Sequence, residues 1–154
     1  MEKQVVAVSG GFDPVHPGHL RMFRRARELA GDQGTVLVIL NNDHWLLAKK
    51  GYCFMNQDER REMLLALRYV DEVVFTGHET EPEDMSVAPE LRMYHPDVFL
   101  NGGDRTDKTT PEKAICAELG IEMVFNATVG NEYNDHSSEL VKRAVEHIKN
   151  GKQK

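Results

Sequence analysis

The stretch "VVAVSGGFDPVHPGHL", Val5–Leu20, sets an apolar run against two glycines, two prolines and two histidines. Val5 to Val8 is short, β-branched and without polar interruption, as in a strand covered on both faces. Gly10 and Gly11 follow where a chain leaving a sheet turns tightly and where a ligand can approach the backbone. Beyond them, Leu20, Phe23, Ala26 or Arg27, and Ala30 recur at three-to-four spacing, the pattern of an amphipathic helix. His16 and His19 fall at its start, where unpaired backbone N–H groups and the helix dipole favour an anion, and their spacing puts both rings on one side.

The same alternation runs outward along the chain. "TVLVIL" at Thr35, "EVVF" at Glu72, "DVFL" at Asp97 and "IEMVF" at Ile121 read as four further buried strands after "QVVAVS". Met63, Leu64, Leu67 and Val70 continue the helical pattern, Asn56 with Glu59 resembles a capping box, and Pro111 suits a first helical turn behind Thr110. "HSSELVKRAVEHIK", from His136, closes the chain as an amphipathic helix. Strand and helix in alternation predict an α/β fold, an open parallel sheet of five strands with helices on both faces and a ligand beyond the carboxyl ends of the strands.

A chain of 154 residues suits one domain spanning 1–154, with residues from about 150 a frayed tail. With 40% hydrophobic and 29% charged residues, and no apolar run of bilayer length or basic-apolar leader, the expectation is a cytoplasmic protein. A net charge of −6 argues against broad nucleic-acid binding and leaves room for a local phosphate pocket. Cys53 and Cys116 have no CxxC context, so neither a disulfide framework nor a structural zinc site is expected. His44, His78, His95 and His147 read as ordinary surface or core histidines. The HxxH spacing of His16 and His19 also raises a metal, but no third ligand stands at recognisable spacing. From the residues alone, phosphate binding and plain loop architecture remain evenly matched.

"GGFDPVHPGHL" resembles the signature of the cytidylyltransferase-like nucleotidyltransferase superfamily, G-[GTC]-F-D-x-x-H-x-G-H, matching at Phe12, Asp13, His16, Gly18 and His19. "SSELVK", Ser137–Lys142, is similar to that superfamily's serine-rich start of the last helix, with Glu139 in place of a third hydroxyl and Lys142 in place of arginine. "KKGYCFMNQDERREMLLALRYVDEVV" resembles glycerol-3-phosphate cytidylyltransferases, and "NGGDR" the K-G-[GT]-D loop shared with heptose-1-phosphate adenylyltransferases, with Asn101 where lysine is usual. The resemblance runs from Val5 to about Arg143 and implies a Rossmann-like sheet.

It also implies a reaction: an acceptor phosphate oxygen attacks the α-phosphorus of a nucleoside triphosphate and pyrophosphate leaves. His16 and His19 would donate to the triphosphate, with Lys49 or Lys50 opposite, and Arg60 would meet the acceptor phosphate. Gly10, Gly11, Phe12, Asp13, Gly18, Asn101, Gly102, Gly103, Asp104, Ser137, Ser138 and Lys142 would bind the nucleotide. Mg2+ would accompany the triphosphate without a dedicated protein cage. The resemblance leads to transfer of CMP, by a small margin over AMP, from CTP or ATP to a phosphorylated polyol or sugar by a homodimer, with neither nucleic acid nor membrane as partner. Phosphopantetheine adenylyltransferase, flavin-nucleotide synthase and a non-catalytic nucleotide-binding module stand as alternatives.

Overall fold

The computed structural model describes residues 3–103, 105, 106, 108–125 and 136–151. Five parallel strands, β1 (Val5–Gly10), β2 (Thr35–Leu40), β3 (Glu72–Phe75), β4 (Val98–Leu100) and β5 (Glu122–Val124), lie in the order β3-β2-β1-β4-β5. The chain steps outward through β2 and β3, then returns across β1 to lay down β4 and β5. That reversal at β1 and β4 is where an open parallel sheet leaves a crevice at its carboxyl edge.

Alternation along the strands divides the core. Val6, Val8, Val36, Val38 and Leu40 face one side and pack with Met22, Phe23, Ala26 and Ala30 of α1 (Pro17–Ala30) and Leu64 of α3 (Gln57–Leu65). Ala7, Leu37, Ile39 and Phe99 face the other, against Leu91 of α4 (Ala88–Tyr94) and Ile115 and Cys116 of α5 (Lys113–Leu119). All five expected strands are present within a residue or two, with helices on both faces.

The helices depart from expectation in particulars. Met22 takes the core position in α1 and Leu20 stays exposed. The Asn56–Glu59 capping box forms in both directions, but α3 stops at Leu65, so Met63 points to solvent while Leu64 and Val70 are buried. Pro111 lies in a turn ahead of α5, whose first residue, Lys113, donates its N–H to Thr110 O at 3.3 Å. Two helices without a clear sequence pattern are added: α4, and α2 (Asp43–Lys50), capped by Asn42 accepting from Trp45 N and ended by a left-handed Gly51. The last helix, α6 (Ser137–Gly151), continues through Asn150 and Gly151, where fraying was expected.

Candidate active site

The crevice at the ends of β1 and β4 is a cavity of about 190 Å3, lined by the β1 end, the start of α1, Leu100–Gly103, Arg105 and His136. Its shape follows from two close approaches. A Cβ on Gly10 would sit 3.0 Å from the Phe12 ring, and one on Gly11 2.9 Å from Leu46, so neither position admits a side chain without displacing its neighbour. Phe12 adopts a positive φ of 48°, which turns its ring inward to meet Phe23 at 5.1 Å and the edge of His19 at 4.8 Å.

His16 is the N-cap of α1, and its Nδ1 accepts the Gly18 N–H at 3.1 Å. His19, three residues on, accepts the His16 N–H on its own Nδ1 at 3.3 Å. This is a capping box built from two imidazoles, and it decides their chemistry. A neutral ring whose Nδ1 accepts carries its hydrogen on Nε2, so both histidines are donors at Nε2. Burial drives the His19 pKa down to about 3, helped by His16, Lys50 and His136. His19 is therefore an uncharged donor at neutral pH, beside a helix N-terminus that favours anions. Lys50, exposed at the end of α2, is the lysine whose charge reaches His19.

The other expected residues separate into those the fold gathers and those it employs elsewhere. Gly10, Phe12, His16, Gly18, His19, Asn101, Gly102 and Gly103 share the cavity, and Asn101 is buried there with its Oδ1 unpartnered among the described residues. Asp13 turns away: its two carboxylate oxygens accept Phe54 N and Met55 N at 2.6 and 2.7 Å, fastening the α2–α3 loop to the histidine loop. Ser137 donates its hydroxyl to Pro14 O at 2.8 Å, tying α6 to the same loop. Ser138, Lys142 and Lys49 are exposed outside the cavity lining, and Asp104 lies outside the described residues.

Arg60, expected to meet the acceptor phosphate, lies outside the cavity lining. It is fully buried, and its guanidinium donates to Met55 O, Gly11 O, Asn41 O and Asp43 Oδ1 at 3.0, 2.8, 2.6 and 2.7 Å. Four of its five N–H groups are taken by protein oxygens, so Arg60 is a bracket that holds the glycine loop. The cavity adds Ser9, Met22, Leu100, Arg105 and His136. Arg105 and His136 abut motifs visible in the sequence, whereas Met22 and Leu100 look like any core residue.

Residues 7–144 match the family described as cytidylyltransferase-like. The chain belongs to that family. This cytidylyltransferase-like chain is 33% identical over 144 residues to FAD synthase of Pyrococcus abyssi, covering 92% of each protein. It is 44% identical over 147 residues to ethanolamine-phosphate cytidylyltransferase of Arabidopsis thaliana, covering 94% of this chain and 33% of that one. Its fold is shared with the lipopolysaccharide core biosynthesis protein from Thermoplasma volcanium, at TM-score 0.59 and 22% identity, over 80% of this chain and 93% of that one. The protein is a nucleotidyltransferase, as its relatives are, and no helix among the described residues is long and apolar enough to cross a membrane.

Proposed function

We propose that the protein transfers an adenylyl group from ATP to the phosphate of flavin mononucleotide, forming FAD and pyrophosphate. The observation that carries the chemistry is the tautomer-locked pair His16–His19, two imidazoles held at the crevice as Nε2–H donors. The acceptor phosphate is largely ionised at neutral pH, with a second pKa of about 6, so its oxygen attacks the α-phosphorus without a general base. The bond to the bridging oxygen breaks and its electrons leave with pyrophosphate. Positioning and charge stabilisation do the rest.

In this reading His19 and His16 donate to phosphate oxygens that gain charge, and Lys50, rather than Lys49, supplies the cation from α2. The backbone of Gly10, Gly11, Gly102 and Gly103 lets the nucleotide approach closely, and Asn101 faces it from β4. Ser138 and Lys142 reach phosphate oxygens only from the outer margin. Magnesium would accompany the nucleotide and would be held there by phosphate oxygens and water. A cytoplasmic homodimer completes the reading.

Likeness to FAD synthase over nearly the whole of both proteins puts flavin mononucleotide ahead of the phosphorylated polyol or sugar expected from the sequence. The 44% identity to the Arabidopsis enzyme supports a second reading, CMP transfer to a small phosphorylated alcohol. Pyrophosphate release with magnesium and either ATP or CTP separates them, against flavin mononucleotide, phosphoethanolamine, glycerol 3-phosphate and heptose 1-phosphate. Turnover with ATP and flavin mononucleotide is expected. Turnover confined to CTP with another acceptor would replace the first reading by the second.

A further inference from the structure

The phosphate chain of a nucleoside triphosphate is strongly anionic, yet most of the cations expected to meet it stand elsewhere. Four of the five N–H groups of Arg60 are taken by protein oxygens, and Lys49 and Lys142 are exposed outside the cavity lining. His19, lowered to a pKa of about 3, offers a donor without a charge at neutral pH. Among the described residues that line the crevice, Arg105 is the one permanent cation, and none is a carboxylate.

The Arg105 side chain is exposed, but the backbone that carries it is held on both sides. Before it, Asn101, itself 3% exposed, donates its N–H to Val124 O of β5 at 2.7 Å. After it, Thr106 donates its N–H to Thr109 Oγ1 at 3.0 Å, and its carbonyl accepts the Thr110 hydroxyl at 2.7 Å. Thr110 is buried, so this turn is anchored in the fold. The guanidinium therefore stands at the crevice before a ligand arrives, which lowers the cost of ordering it around an anion.

Its place in the sheet complements that of Lys50. Gly10 of β1 is in register with Leu40 of β2 on one side, and Val8 of β1 with Leu100 of β4 on the other. The chain leaves β2 to form α2, which ends in Lys50, and leaves β4 to form the loop of Arg105. The His16–His19 pair follows β1, between them.

We propose that Arg105 is a catalytic residue of the transfer, its guanidinium holding non-bridging oxygens of the nucleotide's phosphate chain on the β4 flank of the histidine pair. The proposal rests on the transferase reading. Gly102 and Gly103, whose backbone the nucleotide approaches in that reading, belong to the same loop, which assigns Arg105 to the nucleotide and not to the acceptor. A guanidinium suits the place because its planar fork takes two phosphate oxygens at once and stays charged at any working pH. When the bridging bond breaks, its electrons move onto pyrophosphate, and the same fork meets the added charge.

Arg105→Ala is the direct probe, and because the side chain is exposed the variant should keep the wild-type denaturation midpoint. Binding of ATP and of CTP, each with magnesium, is measured by calorimetry on the whole chain. Adenosine and cytidine, which lack the phosphates, are measured beside them, and pyrophosphate release is followed with the acceptors named above. Arg105→Ala should weaken the bound triphosphate about 10- to 100-fold, while each nucleoside binds wild type and variant alike. Triphosphate binding unchanged in the variant, or absent from the wild type, overturns the proposal. A nucleoside weakened as much as its triphosphate overturns it too, because Arg105 would then meet the base. Triphosphate binding that depends on Arg105, without pyrophosphate release from the wild type, would keep Arg105 at the phosphates and overturn the transferase reading alone.

Discussion

His19 lies against His16, ring centroids 3.7 Å apart and planes 24° apart, and takes the His16 backbone N–H on its Nδ1. The contact that caps α1 is the same contact that sets the tautomer, so structure and chemistry are joined in one bond. Removing a preorganised donor commonly costs about 2.7 to 4 kcal/mol of barrier stabilisation. His19→Ala should therefore lower kcat by about 100- to 1,000-fold with a far smaller effect on nucleotide KM, as steady-state kinetics will report.

The lowered pKa of His19 also ties stability to pH. Its folded value is about 3 against an ordinary 6.5, so between those values the unfolded chain binds the extra proton. Stability contributed by neutral His19 is complete above pH 6.5 and falls as pH drops toward 3. Urea denaturation at a series of pH values should show a shallower acid dependence in His19→Asn than in the wild type.

Arg60 behaves as a bracket in this account. Arg60→Met strands the carbonyls of Gly11, Asn41 and Met55 and the carboxylate of Asp43. Removing one partner of a buried ion pair typically destabilises by about 3 to 5 kcal/mol. The denaturation midpoint should move accordingly. A variant of native stability with only a raised acceptor KM would return Arg60 to the phosphate.

Asp13 is predicted to act through the α2–α3 loop. In Asp13→Asn one oxygen still accepts an N–H, but an NH2 now faces the other, Phe54 or Met55, at a cost of about 1 to 3 kcal/mol. Hydrogen exchange should accelerate at the Phe54 and Met55 amides before it changes in the central strands.

The sheet was legible because fully buried parallel strands show as unbroken runs such as "TVLVIL", which became β2 without a shifted end. The histidine pair was legible because two imidazoles at a helix start need only local geometry to meet. Arg60 was not: in "DERRE" it has the same neighbours as a solvated helix face, and only the fold brings Gly11 from one segment and Asn41 and Asp43 from another to it. The Ser137 contact was hidden for a related reason, since a hydroxyl at a helix start suits a phosphate as well as the Pro14 carbonyl 123 residues away.

The paired Nε2–H donors are tested most directly by magnesium-dependent pyrophosphate release by wild type and His19→Ala, each verified as folded, with ATP, CTP and the acceptor panel. Release by the wild type should depend on a phosphate acceptor and fall at least about 100-fold in the variant. Equal release by both proteins would contradict it.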